Sequence, residues 1–165
     1  MNRFSMARRA ALLLSVAFLG ACASGVKLDD VDGAAKSSSG SSSGDLSSQP
    51  WNDPKSPLFK RSVYFDFDSY IVKPEYQSTL QAHANYLKAN KDRKIRLEGN
   101  TDERGTTEYN LALGQRRSEA LRKSLSLLGV SDAQMEAISF GKEKPKAEGS
   151  NEEAWQENRR ADIAY

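Results

Sequence analysis

Two residues of opposite charge, Asp102 and Arg117, are the ones whose types and spacing could do chemistry in this chain of 165 residues. Asp102 lies in a short loop after an alternating apolar segment, and Arg117 lies on the helix predicted to follow. At about 100° per residue, Arg117 falls near the middle of the apolar stripe of that helix, and Asn110 points the same way. A buried guanidinium is costly unless it has a partner or lines a pocket. We therefore expect Asp102 and Arg117 to face one concavity.

This charged pair has two interpretations that the residues alone leave open. In one, Asp102 and Arg117 form a plain ion pair that fixes the loop. In the other, they bind a zwitterion between them, since a carboxylate takes an ammonium and a guanidinium takes a carboxylate through two hydrogen bonds. The carboxyl end of a strand, where Asp102 lies, is a common position for ligand crevices in α/β proteins.

The remaining residues give little support to catalysis. The chain has one histidine, His83, and one cysteine, Cys22, so neither a zinc site nor a Ser-His-Asp or Cys-His site is expected. A hydrolase with two acids needs one carboxyl group with a raised pKa, whereas an arginine near Asp102 lowers that pKa. The sequence therefore predicts no enzyme and no metal site. His83 lies on the apolar stripe of a predicted helix and is interpreted as a core histidine, with a ligand-binding or pH-sensing role as the alternative.

The elements that must position the charged pair form an alternating series of strands and helices. Strands are predicted at "SVYFDFD", with Phe67 on the inward face, and at "RKIRLEG", "EAISFG" and "RRADIAY". A first helix begins near Pro74, and a long helix is capped by Thr106 and ends near Leu128. A polar loop is expected over residues 142–155. The pattern predicts an α/β (α+β) two-layer sandwich in which helices pack on one face of a small mixed sheet.

Other charged residues near these elements have simpler interpretations. Glu103 and Arg104 are expected to form a solvated loop pair worth less than about 1 kcal/mol. Arg159 and Arg160 begin the last predicted strand. One is expected to form a structural ion pair and the other to contact a partner.

The first 57 residues have the composition of an exported, anchored tether rather than of a packed core. Residues 1–21 combine three arginines with an apolar run too short to span a bilayer, which predicts a secretory leader. The pattern Leu-Gly-Ala-Cys that ends at Cys22 resembles the lipobox of bacterial lipoproteins, which implies a lipid on Cys22 and no other cofactor. Residues 22–57, rich in Ser and Gly, are expected to form a disordered tether, and residues 58–165 a single domain.

The net charge bears on the class of partner. The full sequence has a formal net charge of +2 from 24 basic and 22 acidic residues. Loss of Arg3, Arg8 and Arg9 with the leader leaves 21 basic residues against 22 acidic ones, a net charge of −1. Such a near-neutral domain argues against nucleic acid as a partner.

Four separated segments together resemble the OmpA-like peptidoglycan-binding domain family: "VYFDFD", "GNTDERGTTEYNLALGQRR", "SFGKEKP" and "ENRRADI". The resemblance covers residues 58–165 and implies a non-catalytic domain that holds the stem peptide of peptidoglycan. It implies that Asp102 and Arg117 hold the zwitterionic end of meso-diaminopimelate. Further contacts are implied at Phe67, Asp68, Thr106, Asn110 and Leu113. Two departures, Asn100 where many members have histidine and Gly114 where many relatives have serine, bear only on the fine shape of the pocket.

The resemblance and the lipobox together imply a role in the cell envelope. Ala23 follows Cys22 where retained inner-membrane lipoproteins of enteric bacteria have aspartate, which favours the outer membrane, with the domain facing the periplasm. The family also implies protein partners of the Tol system, chiefly TolB and, as a second candidate, TolA, through a surface that overlaps the peptidoglycan site.

The expected function is to link the outer membrane to the cell wall and to support envelope integrity and outer-membrane constriction at cell division. The alternative is a protein-protein interaction module of the envelope in which the Asp102–Arg117 pair is purely structural.

Overall fold

The computed structural model describes residues 49–165; the predicted leader, Cys22 and most of the predicted tether lie outside the described residues. The elements in chain order are β1 Ser62–Tyr64, α1 Gln77–Ala89, β2 Ile95–Asn100, α2 Thr107–Leu127, β3 Met135–Gly141, α3 Glu152–Asn158 and β4 Arg160–Ala164. Short 3-10 helices at Pro74–Tyr76 and Asp132–Gln134 precede α1 and β3. Within residues 49–165, no helix has the length and apolar character needed to cross a bilayer.

The four strands form one sheet in the order β1-β4-β2-β3. Strands β2 and β3 are parallel, whereas β4 pairs antiparallel with both β1 and β2. The mixed sheet and its helices confirm the predicted α/β (α+β) two-layer architecture. Because α2 connects two parallel strands, β2 and β3 end at the same edge of the sheet. At that edge the backbone N–H of Thr101 donates to the carbonyl oxygen of Gly141 at 2.8 Å, and the loop that carries Asp102 follows directly.

The core lies between the sheet and helices α1 and α2. The apolar stripe predicted on α1 is buried at Leu80, Ala84 and Leu87, with Tyr76 partly buried beside it. The strands, α2 and the segments beside them complete the cluster with Val63, Phe65, Ile95, Leu97, Leu121, Leu125, Val130, Met135, Ala161 and Ile163.

His83 lies fully buried in this core, which confirms its interpretation as a core histidine. Its Nε2 lies 2.9 Å from the carbonyl oxygen of Lys60, and its Nδ1 lies 2.7 Å from the hydroxyl of Tyr165. A carbonyl oxygen only accepts, so Nε2 carries the proton and Nδ1 accepts from the tyrosine. Burial lowers the pKa of His83, so the core holds the neutral ring.

Helix α2 begins and ends as the sequence predicts. The Thr106 side chain accepts a hydrogen bond from the backbone N–H of Tyr109 at 3.2 Å, and Glu108 lies in the first turn. After the last turn, Gly129 has a φ of +91°, the left-handed conformation that favours glycine.

Helix α2 approaches the sheet closely where Gly114 meets Gly99. A Cβ on Gly114 would lie 2.3 Å from Ser139 Oγ and 2.8 Å from the carbonyl oxygen of Gly99. A Cβ on Gly99 would lie 1.8 Å from the carbonyl oxygen of Gly114. The two glycines let the backbone of α2 contact the backbone of β2. Close packing therefore explains why residue 114 is glycine in this chain.

Strand β1 is shorter than predicted, because it ends at Tyr64 and the chain then turns away from the sheet. Phe65 stays buried, but Asp68 adopts a φ of 55°. Phe67 is 62% exposed. The prediction that Phe67 lies on the inward face of a strand is therefore wrong, and this residue instead faces the site described below.

The polar segment over residues 142–155 contains the start of helix α3, which the sequence analysis did not predict. Asn151 caps this helix by accepting a hydrogen bond from the backbone N–H of Ala154 at 2.9 Å. At its other end, Asn158 accepts hydrogen bonds from the backbone N–H groups of Lys146 and Ala147. The helix therefore holds the preceding loop against the domain.

Packed structure begins before Leu58, the predicted start of the domain. Trp51 is 7% exposed and stacks on Tyr165, with ring centroids 4.3 Å apart. The Tyr86 ring meets Trp51 edge-on at 5.9 Å, and the Arg93 guanidinium lies 4.9 Å from the Trp51 ring centroid. The end of the predicted tether is thus attached to the domain by an aromatic cluster.

Candidate functional site

A pocket of about 240 Å³ opens where β2 ends and α2 begins. The structure brings six of the seven predicted contact residues to its wall, namely Phe67, Asp68, Asp102, Asn110, Leu113 and Arg117. The lining is completed by Thr101, Arg104, Gly105 and Tyr109. The seventh, Thr106, is not among the lining residues and caps α2 instead. Asp102 and Arg117 do face one concavity.

Arg117 lines the pocket although its side chain is fully buried. Its Nε donates to the carbonyl oxygen of Ser69 at 2.8 Å, its Nη1 to that of Asn100 at 2.8 Å, and its Nη2 to that of Asp66 at 3.2 Å. These carbonyls occupy three of the five N–H groups of the guanidinium and do not neutralise its charge. No carboxylate of residues 49–165 forms an ion pair with Arg117.

Burial lowers the pKa of Arg117 to about 10, and the nearby carboxylate of Asp102 opposes part of that shift. The guanidinium therefore stays protonated at neutral pH, but its charge is desolvated and only partly compensated. A carboxylate placed against its remaining N–H groups would form charge-assisted hydrogen bonds with it. The interior of the pocket is thus suited to an anionic group.

Asp102 is buried in the loop after β2, and its carboxylate is already paired with two arginines. Its Oδ2 lies 2.6 Å from Arg104 Nη2 and 3.4 Å from Arg159 Nη1. Burial by itself raises the pKa of Asp102, but hydrogen bonds from Arg104 and Arg159 outweigh that effect and hold the pKa below its ordinary value. Asp102 is therefore ionised at neutral pH, and among the described residues its partners are these arginines rather than Arg117.

Arg104 lies between two aromatic rings at the mouth of the pocket. Its guanidinium carbon is 4.2 Å from the ring centroid of Phe67 and 4.1 Å from that of Trp155. The prediction of a solvated pair with Glu103 is wrong, because Arg104 pairs with Asp102 and Glu103 accepts from Trp155 Nε1 at 3.0 Å.

The outer wall of the pocket combines aromatic and acidic side chains. The hydroxyl of Tyr109 donates a hydrogen bond to the carboxylate of Asp68, which raises the pKa of Tyr109. Phe67 stands beside them, and Tyr70 and Ile71 are exposed on the same loop. A ligand would therefore meet an apolar rim before it reaches the charged interior.

Two buried asparagines support the loop of Asp102 from behind. Asn110 Nδ2 donates to the carbonyl oxygen of Arg104 at 3.0 Å, and Asn100 Nδ2 donates to that of Glu98 at 3.0 Å. Within the described part of the chain, Asn100 Oδ1 is buried without a hydrogen-bond partner. Asn100 is not a lining residue, and it meets the site through its backbone carbonyl oxygen, which accepts from Arg117 Nη1.

Arg159 and Arg160 both form ion pairs within the domain, as was expected of one of them, and the contact of the other with a partner stays a prediction. Arg159 pairs with Glu152 at 2.6 Å and with Asp102, and Arg160 pairs with Asp162 at 2.9 Å. Both side chains are buried.

Three residues of the site escaped the sequence analysis as functional candidates: Arg104, Tyr109 and Trp155. Arg104 had a usable signal, because it follows Asp102 by two residues in one loop and can reach the same carboxylate. Trp155 had none, since α3 was predicted as loop, and Arg159 was expected as a structural pair or a partner contact but not as a partner of Asp102. No group of three or more His, Cys, Asp or Glu side chains arranged to hold a metal ion occurs in residues 49–165.

Comparison with known proteins places this chain in a family. A sequence profile of the OmpA family matches residues 64–159. The chain is 45% identical over 151 residues to the peptidoglycan-associated lipoprotein of Haemophilus influenzae, and the alignment covers 92% of each protein. It is 52% identical over 102 residues to the protein of that name from Pseudomonas putida, covering 62% of this chain and 61% of that protein, which is less than two thirds of its length.

Solved structures agree with these sequence relatives. The crystal structure of the peptidoglycan-associated lipoprotein from Burkholderia pseudomallei is 67% identical, with a TM-score of 0.69 over 71% of this chain and 99% of that one. The OmpA-like domain of FopA1 from Francisella tularensis shares the fold at 17% identity, with a TM-score of 0.55, over 63% of this chain and 69% of that one. The chain belongs to the OmpA family and, within it, groups with the peptidoglycan-associated lipoproteins.

Proposed function

We propose that this chain is an outer-membrane lipoprotein that binds peptidoglycan non-covalently through the diaminopimelate of the stem peptide. The observation that carries the proposal is the buried Arg117, which has no carboxylate partner in the described structure and lines the same pocket as the ionised Asp102. A free diaminopimelate end is an amino acid with both an ammonium and a carboxylate. The carboxylate would take the remaining N–H groups of Arg117, and the ammonium would take the carboxylate of Asp102.

The size of the pocket supports a ligand of amino-acid size. Small-molecule pockets commonly measure about 300–1,000 Å³, and this one has about 240 Å³. It would hold the end of one side chain, while the sugar chain of the wall stays outside. The exposed Phe67 at the rim would then contact the neighbouring part of the peptide.

Binding would rearrange the partners of Asp102. Arg104 lies 2.6 Å from the carboxylate that the ligand ammonium needs, and it is partly exposed between Phe67 and Trp155. An incoming ammonium would share Asp102 with Arg104 or displace it toward solvent, while Arg159 remains on the buried side. The apolar rim would reduce the solvation of these charges once the ligand is in place.

The rest of the proposed role depends on residues outside the described structure. A lipid on Cys22 would hold the chain in the outer membrane, and the Ser/Gly-rich tether would let the domain reach the wall. Links to TolB and TolA, and a role in outer-membrane constriction at cell division as part of the Tol-Pal system, belong to the same proposal. The binding is proposed to be non-catalytic.

The alternative, a protein-protein module, draws support from one feature of the rim. Phe67, Tyr70 and Ile71 are exposed apolar side chains on one loop beside the pocket, and such residues are enriched at protein interfaces. A purified Tol partner and a diaminopimelate peptide should compete for the chain if the two surfaces overlap. Simultaneous binding of both would contradict the overlap.

The test of the proposed function changes the ligand rather than the protein. The chain from residue 22 to residue 165, with Cys22→Ser to prevent lipidation, would be titrated with a stem peptide that contains meso-diaminopimelate. A matched peptide with lysine at that position lacks only the side-chain carboxylate. We expect the lysine peptide to bind at least about thirtyfold more weakly, because a desolvated charge pair is worth about 2–5 kcal/mol.

A second peptide, with the free amine of diaminopimelate acetylated, tests the Asp102 side of the pocket in the same way. Equal affinity for all three peptides would show that the charged pair does not bind the ligand. If none of the three peptides and no purified cell-wall sacculi bound to the chain, the proposed function as a whole would be contradicted.

A further inference from the structure

The end of the domain opposite the pocket is where the tether joins it. Strand β2 runs from Ile95 to Asn100 at the pocket, and its pairing with β4 sets Arg96 opposite Ala164. The C-terminal Tyr165 therefore lies at the Ile95 end of the sheet, about 20 Å from the pocket for a six-residue strand. Trp51 stacks on Tyr165, so the chain arriving from Cys22 meets the domain at this end, which we name the distal end.

The distal end carries a concentration of cations. The segment "KANKDRK" after the middle of α1 holds Lys88, Lys91, Arg93 and Lys94 against a single carboxylate, Asp92, and all five side chains are exposed. None of the five forms an ion pair with another residue of the described range 49–165. Three of the lysines line a surface groove of about 730 Å³ with Asp92, Gly129, Ser131, Ala133 and Gln134.

Three other lysines of the domain are, by contrast, paired with acids. Lys73, Lys144 and Lys146 pair with Asp66, Glu98 and Glu157 at distances of 2.7, 2.9 and 2.6 Å. The pocket end also carries the exposed acids Asp66, Asp68, Glu103 and Glu108. The distal segment therefore carries four cations and one carboxylate, a net charge of +3 that no ion pair of residues 49–165 offsets, although the exposed acids Asp132 and Glu136 lie close to it.

Two exposed apolar side chains accompany the cations at the distal end. Leu127, on the last turn of α2, is 80% exposed and precedes Gly129, which borders the same groove as Lys88. Phe59 is 45% exposed and lies just before β1, whose first residue, Ser62, pairs with Asp162 near the end of β4. Cations beside exposed leucine and aromatic side chains are the composition of surfaces that rest on lipid headgroups.

We propose that the distal end docks on an anionic phospholipid surface, the one from which the tether emerges. The proposal rests on the proposed lipid anchor at Cys22, which would hold the domain close to such a surface at high effective concentration. Lys88, Lys91, Arg93 and Lys94 would contact lipid phosphates, and Leu127 would insert among the headgroups. A domain docked in this way presents its pocket on the side away from the membrane.

The two ends would then have separate partners. The pocket remains open while the distal end is docked, because about 20 Å of sheet separates them. Docking would keep the pocket oriented toward the wall. When the wall is farther away, the domain would leave the lipid surface and the tether would extend. Electrostatic attraction to an anionic surface falls off within about one Debye length, so release would need only a short displacement.

The test measures vesicle binding without peptidoglycan, so its outcome is independent of the pocket. The chain of residues 22–165 with Cys22→Ser would be sedimented with vesicles of phosphatidylcholine alone or of phosphatidylcholine mixed with phosphatidylglycerol. We expect binding to the anionic vesicles at low salt, none to the neutral vesicles, and loss of binding at high salt. Absence of binding to anionic vesicles at low salt would overturn the proposal.

The decisive variant is Lys88→Gln with Lys91→Gln and Lys94→Gln. Each cation near an anionic surface contributes about a fivefold factor, so the triple variant should bind about a hundredfold more weakly. The matched control, Lys73→Gln with Arg116→Gln and Lys142→Gln, removes the same charge from the pocket end and should bind like the parent chain. Equal losses in both variants would mean that net charge alone acts, and the proposed surface would be wrong.

A second pair of variants tests the apolar contact. Leu127→Ser should weaken vesicle binding by roughly tenfold, since inserting a leucine side chain removes its apolar area from water. Ile71→Ser makes the same kind of change at an equally exposed position, 72% accessible, beside the pocket and should leave vesicle binding unchanged. Self-association of the chain that disappears in the lysine variant would instead assign the distal end to a contact between two copies and overturn the lipid proposal.

Discussion

A single arginine serves both the fold and the site of this protein. Arg117 donates to the carbonyl oxygens of Asp66, Ser69 and Asn100, two of which belong to the loop after β1 and the third to the end of β2. The same guanidinium faces the pocket with N–H groups to spare. Its position is therefore set by the backbone around it rather than by a carboxylate, and a ligand would find it already oriented.

Replacing Arg117 by alanine should destabilise the protein as well as remove binding. Three carbonyl oxygens, one buried and two partly buried, would lose their donor at up to about 1–3 kcal/mol each, while the cost of burying the charge disappears. We expect a net loss of about 2–4 kcal/mol in the free energy of unfolding, measured by urea titration. Arg116→Ala, at the exposed neighbouring position, is the matched control and should unfold like the parent. Unchanged stability of Arg117→Ala would mean that these carbonyls find water instead.

His83 makes the stability of the protein depend on pH. Its ordinary pKa is about 6.5, and burial lowers it in the folded state. The stabilisation by the neutral ring is fully present above the unfolded pKa and is lost as pH falls from about 6.5 toward the folded pKa. Because the chain has one histidine, the free energy of unfolding should fall by up to about 1.4 kcal/mol per pH unit in that window.

The control for this pH dependence is His83→Gln, whose amide can donate to the Lys60 carbonyl and accept from Tyr165. Its stability should be nearly flat between pH 6.5 and pH 5. An equal slope in the parent and the variant would assign the pH dependence to other groups.

At the scale of elements, the contact between α2 and β2 depends on the absence of side chains at Gly114 and Gly99. Gly114→Ser would place a Cβ 2.3 Å from Ser139 Oγ and 2.8 Å from the carbonyl oxygen of Gly99. The helix would have to move outward, and overpacking of this kind costs about 1–3 kcal/mol. Thermal unfolding should show the loss, and Ala112→Ser on the exposed face of the same helix should show none.

The second variant in that series distinguishes the two clashes. Ser139→Ala removes the Oγ atom but leaves the Gly99 carbonyl in place, so it should restore part of the stability of Gly114→Ser. Complete restoration of stability would mean that the contact with the Gly99 carbonyl does not contribute to the loss in Gly114→Ser.

Elements with strong periodicity were the predictable part of this fold. The apolar stripe of α1, the inward Ile95 and Leu97 of β2 and the Thr106 cap of α2 are local signals, and the structure confirms all three, although Glu98 of β2 is also buried. Helix α3 has seven residues and a polar sequence, so its signals were only the Asn151 cap and two glutamates in the first turn. Phe67 was placed on a strand because alternation continues past Tyr64, where the chain turns to supply carbonyls to Arg117.

The position of the site could be predicted from the sequence, but not all of its ion pairs could. The helical wheel placed Arg117 inward, and strand-end geometry placed Asp102 beside it. The pairing of Asp102 with Arg104 is local, but its pairing with Arg159 depends on the chain after α3 returning to the pocket from more than fifty residues away in sequence. No local pattern carries that information.

At the scale of the whole molecule, the aromatic cluster of Trp51 determines where the domain begins. Trp51 is in contact with Tyr165, Tyr86 and Arg93, so it joins the start of the packed chain to its last residue. A domain cut at Leu58 would lose this cluster, whereas one cut at residue 49 would keep it.

Trp51→Ala should therefore lower the stability of the whole domain, although the residue lies in the segment that the sequence assigns to the tether. Truncation of a buried aromatic side chain costs about 3–5 kcal/mol. We expect the free energy of unfolding of the chain of residues 22–165 to fall by about 3 kcal/mol, and a chain that begins at Leu58 to lose a similar amount. Phe59→Ala, an aromatic truncation at a half-exposed position nearby, should cost much less. If Trp51→Ala and the parent chain have the same free energy of unfolding, the cluster does not contribute to the fold, and the tether would join the domain at Leu58. Affinity for the diaminopimelate peptide should be unchanged in every folded variant of this series, because the cluster and the pocket lie at opposite ends of the sheet.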